Sequence, residues 1–256
     1  MGLSSTRKTK LIAFDMSGTL RDDMDAFRRW FFFMFSVLGL DIPSPENLKR
    51  IRGECAYEVA KSFLAFKTPN PEPYVSDFLK MLDHICADYY VPKYARRLPG
   101  VADTISELVK QGFIVIIVST GTKKIVGEFM RTENIEQYVD SLSIGSEYEP
   151  ERIRIIKAQT RHGVSSRNTI YVGDSLADMR MARELGVRAI AVLTSSPSDQ
   201  ENMSLADHTI RNFTEVPQVL KNWEEKGYFE SCDRKQGLGY DSALTPKTRS
   251  NESVSF

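Results

Sequence analysis

The chain of 256 residues is short of several things, and each shortage removes a class of protein. Its three cysteines, Cys55, Cys86 and Cys232, show neither a close pair nor a metal-binding spacing. Three cannot all pair, which excludes a disulfide scaffold and predicts free thiols in a reducing compartment, the cytoplasm. Neither sign of charge is in excess, since lysine plus arginine and aspartate plus glutamate number 34 each. No bulk field therefore favours nucleic acid or an acidic membrane as a partner. Long hydrophobic runs are missing too. The most apolar stretch, Trp30-Phe31-Phe32-Phe33-Met34-Phe35, falls far short of the ~20 residues a membrane span requires. Arg7, Lys8 and Lys10 interrupt any signal-peptide core. Met1-Gly2-Leu3-Ser4-Ser5-Thr6 fits the N-myristoylation pattern at Gly2, but one acyl chain holds a protein to a membrane only weakly. Residues 1–9 are read as a disordered polar leader, without stable membrane association.

What is present is an ordinary globular composition, 41% hydrophobic and 27% charged, in a chain long enough to bury a sizeable core. Residues 10–14 read as a first strand and 17–23 as the turn leaving it. Residues 24–40 are helix-compatible, with Gly39 closing the helix. Further helical patterns cover 45–51, 56–66 and 73–90, and nothing between 24 and 97 alternates like a strand. From residue 98 the pattern changes to repeated strand–helix units. Phe113-Ile114-Val115-Ile116-Ile117-Val118 and Thr169-Ile170-Tyr171-Val172 are continuous apolar runs, which suit strands buried on both faces. Strands are also expected at 141–144, 188–193 and 207–210, and helices at 102–111, 123–132, 151–162, 177–185 and 216–223. Beyond 228 the composition turns polar and is read as a disordered tail. The fold class is α/β: a three-layer, Rossmann-like core with a parallel sheet (10–23 and 98–227), plus an all-helical cap (24–97) inserted after the first strand.

Ligands of open parallel sheets bind outside the carboxyl ends of the strands, and several strand ends here carry chemistry. Asp15 ends the first strand and can act as a nucleophile, although an isolated aspartate before Gly-Thr also serves as a turn or cap residue. Ser119-Thr120-Gly121 ends the 113–118 strand and offers a hydroxyl and amides for a phosphate at a helix N-terminus. Asp174 and Asp178 flank the start of the helix after 169–172 and suit Mg2+ held by oxygen, though Asp178 could equally be a helix-dipole partner.

In this order the motifs resemble those of the haloacid dehalogenase-like (HAD) hydrolases, whose first motif is hhhh-D-x-D-G-T-L. Here that motif reads Leu11-Ile12-Ala13-Phe14-Asp15-Met16-Ser17-Gly18-Thr19-Leu20. The helical insertion is similar to the C1 cap of phosphoglycolate phosphatase-like and β-phosphoglucomutase-like members. The resemblance implies Asp15 as nucleophile and Mg2+ ligand, and Ser119, with Thr120 and Gly121, as phosphate-binding. The Ser17 carbonyl and Asp174 would complete the metal ligands, with Asp178 as ligand or orienter.

Two positions depart from the family pattern. Ser17 stands where the family has a second aspartate, the general acid–base, and a hydroxyl is a poor acid and base near neutral pH. The family's lysine falls at Glu149-Pro150, so the cation must come from elsewhere. Arg152, about one helical turn on, is one candidate and Lys123 another. Lys124 reads as surface charge, and Lys157 lies ~12 Å along the helix axis, too far. The expected function is a Mg2+-dependent phosphatase of a small phosphorylated metabolite, slowed by Ser17. The alternatives are a non-catalytic or regulatory binding protein of this fold, or a hydrolase cleaving a carbon–halogen or carbon–phosphorus bond.

Overall fold

The computed structural model describes residues 10–39, 56–65, 67–119, 121–140, 149–193 and 204–229. Expectations for the leader, the 45–51 helix, the 141–144 strand, Thr120, Cys55, Cys232 and the chain beyond 229 lie outside these residues. Among the described residues no helix is long and apolar enough to cross a membrane.

The strands in chain order are β1 (Lys10–Asp15), β2 (Arg21–Asp22), β3 (Arg96–Arg97), β4 (Phe113–Val118), β5 (Thr169–Gly173), β6 (Arg188–Val192) and β7 (His208–Ile210). Five form one parallel sheet in the order β4-β1-β5-β6-β7. The central runs of β1, β4 and β5 are apolar because both faces are covered, and alternate residues take opposite sides. Ile12, Phe14, Ile117 and Val172 pack on α5 (Val101–Lys110), α6 (Lys123–Glu133) and α9 (Val216–Glu225). Leu11, Ala13, Ile116 and Tyr171 face α7 (Glu151–His162) and α8 (Leu176–Glu184). Burying such a side chain contributes ~1.5–3 kcal/mol, so a one-residue slip of β1 would move two sets of large apolar groups at once. The central place of β1, between β4 and β5, puts Asp15 at the middle of the sheet's carboxyl edge.

The cap has its own core. Trp30, Met34 and Phe35 of α1 (Met24–Leu38) pack on Ala60 and Leu64 of α2 (Ala56–Ala65) and on Val75, Phe78 and Leu79 of α3 (Glu72–Met81). The helix expected over 73–90 widens into a π-helix at Leu82–Tyr90 before a last turn, α4 (Val91–Tyr94). Pro92 supplies a cause: its ring would clash with the carbonyl four residues back, and the wider turn relieves that contact. The chain leaves for the cap through β2 and returns through β3, which pair antiparallel. Arg96 and Arg97 are therefore extended rather than helical, and two residues are too few for alternation to reveal a strand.

The core also runs past the expected end at 227. Phe229 is buried against Phe113, and the Lys10 ammonium lies 4.9 Å from both rings while bonding Glu224 at 2.6 Å.

Candidate active site

Three strand-end loops meet at the carboxyl edge of the sheet. β1 ends on Asp15, and the loop after β5 carries Asp174 and leads to Asp178 in the first turn of α8. All three side chains are buried, and each offers an oxygen within 4.8 Å of the others. Two glycines permit this approach. Gly18 has φ +87°, and a β-carbon there would fall 2.7 Å from the Asp174 carboxyl carbon. One at Gly173 would fall 2.7 Å from the Asp178 carboxylate.

Convergence has an electrostatic cost. Burial raises the Asp15 pKa well above the carboxylate range, and the charges of Asp178, Glu151 and Asp174 push it further the same way. Thr19 donates to Asp15 Oδ2 at 3.3 Å and so fixes the carboxylate's orientation. A hard, all-oxygen donor set under mutual repulsion fits a divalent cation such as Mg2+, with Asp15, Asp174 and Asp178 as candidate holders. The two sequence readings of Asp178 prove compatible. Its Oδ2 closes a capping box with the Ser175 amide at 2.9 Å and hydroxyl at 2.7 Å, while Oδ1 accepts from the buried Tyr171 hydroxyl at 3.0 Å. These bonds orient the carboxylate within the cluster.

The loop after β4 supplies a second arm. The Ser119 hydroxyl accepts from the Gly121 amide at 3.1 Å, which turns its own proton outward, and Thr122 caps α6 by accepting from the Ile125 amide. Lys123, at the first position of α6, is exposed. Lys124, expected as free surface charge, instead pairs with Asp88 of the cap's π-helical segment and ties cap to core.

A model of the haloacid dehalogenase-like hydrolase family matches residues 12–192, the span that carries these loops and most of the sheet beneath them. The chain belongs to this family. It is 24% identical over 212 residues to a phosphoglycolate phosphatase of Pseudomonas putida, covering 79% of this chain and 77% of that protein. A phosphoglycolate phosphatase of Agrobacterium fabrum is 23% identical over 195 residues, covering 74% and 83%. A haloacid dehalogenase-like hydrolase from Streptococcus pneumoniae superposes with a TM-score of 0.59 at 21% identity, covering 83% of this chain and 98% of that one.

The two arginines at the start of α7 differ in placement. Arg152 is exposed, whereas Arg154 is 3% exposed and its guanidinium donates to the Ser119 carbonyl at 2.5 Å. Glu149, which stands at the place of the family's lysine, is paired with Lys157. Besides Asp178 and Asp174, the acidic neighbour that acts on Asp15 is Glu151. Glu151, Arg154, Ile155 and Ala158 form the buried face of α7. Two charged residues at the spacing of an apolar stripe were the available signal for both. Ser17 is half-buried and its hydroxyl donates to Asp23 Oδ2 at 3.0 Å. Arg21 Nε donates to the same oxygen at 2.9 Å. Burial raises the Asp23 pKa, with Arg21 pulling the other way.

Proposed function

We propose that the chain is a Mg2+-dependent phosphatase of a small phosphorylated metabolite, working in the cytoplasm through an aspartyl-phosphate on Asp15. The observation that carries this reading is the convergence of Asp15, Asp174 and Asp178 within 4.8 Å, beside the Ser119 hydroxyl and Arg154. Bound there, the ion would neutralise the carboxylates and act as a Lewis acid toward a phosphoryl oxygen. The chain's own groups do the rest. Thr19 holds one Asp15 oxygen so that the other faces the phosphorus. The Ser119 hydroxyl and the amides opening α6 receive the phosphoryl oxygens, and Arg154 fixes the Ser119 loop and adds positive charge.

Ser17 limits the rate. General acid–base assistance is worth ~10²–10⁴ in rate, and a serine does not supply it near neutral pH. Esters with good leaving groups should therefore turn over best. The likeness to phosphoglycolate phosphatases supports a small phosphorylated substrate, over which the cap would close and exclude water. The test is Mg2+-dependent hydrolysis of an activated aryl phosphate and of a panel of phosphorylated metabolites, read against Asp15→Asn. No turnover above that background would refute the phosphatase and favour the non-catalytic binding protein.

A further inference from the structure

Asp23 sits where helix-capping aspartates sit, immediately before α1, yet its side chain makes no bond to the amides of that helix. It turns back toward the β1 loop instead. Oδ2 receives both the Ser17 hydroxyl and Arg21 Nε, while Oδ1 is buried and, among the described residues, has no hydrogen-bond partner. Asp23 is 0% exposed, and Arg21 is buried beside it with its guanidinium 5.4 Å from the Phe129 ring centroid. A carboxylate stripped of water and tied to one guanidinium is held in place by that pairing rather than by solvent.

A serine hydroxyl has one proton and two acceptor lone pairs. With its proton committed to Asp23, the Ser17 oxygen turns only lone pairs outward. Ser17 is the half-buried member of the group, two residues after Asp15 with buried Met16 between them. The chain turns directly after Asp15, with the Met16 carbonyl accepting from the Leu20 and Arg21 amides, so Ser17 stands in the loop that leaves Asp15. We propose that Asp23 is a positioning residue: locked by Arg21, it holds the Ser17 oxygen as a fixed acceptor beside Asp15, where that oxygen orients the water attacking phosphorylated Asp15. In that step the water oxygen bonds to phosphorus and the bond to Asp15 breaks, leaving its electron pair on the carboxylate. The water's proton goes to the released phosphate, and Ser17 keeps its own. The role rests on the phosphatase reading of the site.

A double-mutant cycle on the full chain, with Mg2+ and an aryl phosphate, tests it. Arg21→Met/Asp23→Leu removes the acceptor together with its counter-charge, so no buried charge is stranded. Beside Ser17, this pair of changes is expected to lower kcat ~10-fold with KM within ~2-fold, the signature of an interaction made in the transition state. Beside Ser17→Ala, the same changes are expected to move kcat by less than ~2-fold, because the group through which they act is gone. Asp23→Asn keeps an oxygen for Ser17 and Arg21 and should retain about a third or more of kcat. Equal losses with and without the Ser17 hydroxyl, or no loss, overturn the role. Should the paired variant not fold, Ser17→Ala alone decides: a ~10-fold fall in kcat supports the role, and an unchanged kcat overturns it. A wild type no faster than Asp15→Asn removes the phosphatase and this role together. An active wild type without coupling removes this role alone.

Discussion

Replacing Asp15 by asparagine should make the metal-free protein more stable while ending its turnover. Asp15 lies within 4.8 Å of both Asp174 and Asp178. At that separation and an effective dielectric of ~20, each like-charge pair costs about 3.5 kcal/mol. The raised Asp15 pKa lets the wild type shed part of this repulsion by taking up a proton as pH falls, so the observable gain is smaller, ~2 kcal/mol, or ~4–8 °C in Tm for a chain of this size. The pH dependence has a fixed sign. A carboxylate whose folded pKa is raised costs stability where it is ionised, and that cost shrinks as pH falls below the folded pKa and is gone below the unfolded one. The advantage of Asp15→Asn should thus be largest at alkaline pH and shrink toward acid. Mg2+ should reverse the order, since a ligand at ~100 times its Kd adds ~2.7 kcal/mol to the wild type and little to the variant. Thermal melts in chelator and in Mg2+, at two pH values, measure all of this. An Asp15→Asn variant that melts lower than wild type in chelator at about pH 8.5 would refute the account of the cluster as stored repulsion.

Other substitutions probe the neighbouring groups. Arg154→Met should weaken competitive inhibition by inorganic phosphate ~10-fold or more, as loss of a buried charged hydrogen bond worth ~1.5–3 kcal/mol would dictate; an unchanged inhibition constant would exclude Arg154 from phosphate binding. Gly18→Ala drives a β-carbon into the Asp174 carboxylate at positive φ and should lower stability by ~1 kcal/mol or more, with loss of Mg2+-dependent stabilisation. Ser17→Asp alone would set a second carboxylate against buried Asp23, so no gain in turnover is expected from it. The exchange Ser17→Asp/Asp23→Ser should raise turnover toward the ~10²–10⁴ that acid–base assistance provides, and a flat response in steady-state assays would show that residue 17 does not limit the rate.

The parts of this architecture that were legible in the sequence are those written as apolar runs. β1 and β5 carry uninterrupted apolar stretches with Asp15 and Asp174 at their ends, which is why these two were legible, whereas Asp178 read equally as a helix-dipole partner. The placement of Arg154 was not legible, because it depends on helix phase. Arg152 and Arg154 are two residues apart and lie on opposite sides of α7, and only the buried face reaches the β4 loop. Asp23 was hidden for a different reason. An aspartate ahead of a helix has a common local role, and nothing in the sequence states that its side chain forgoes the cap for Ser17 and Arg21. The β2–β3 pairing and the π-helical turn are likewise tertiary outcomes, set by partners distant in sequence.

The clamp of Lys10 between Phe113 and Phe229 has a practical consequence. The first and last described residues lie side by side at the amino edge of the sheet, whereas Asp15 lies at the far end of β1, ~17 Å away along the strand. Tags, surface tethers or a donor–acceptor dye pair joined near residues 10 and 229 would share one pole of the molecule. Substrate would still reach the opposite pole, and distances measured from such a label to the cap would report cap motion without touching the chemistry.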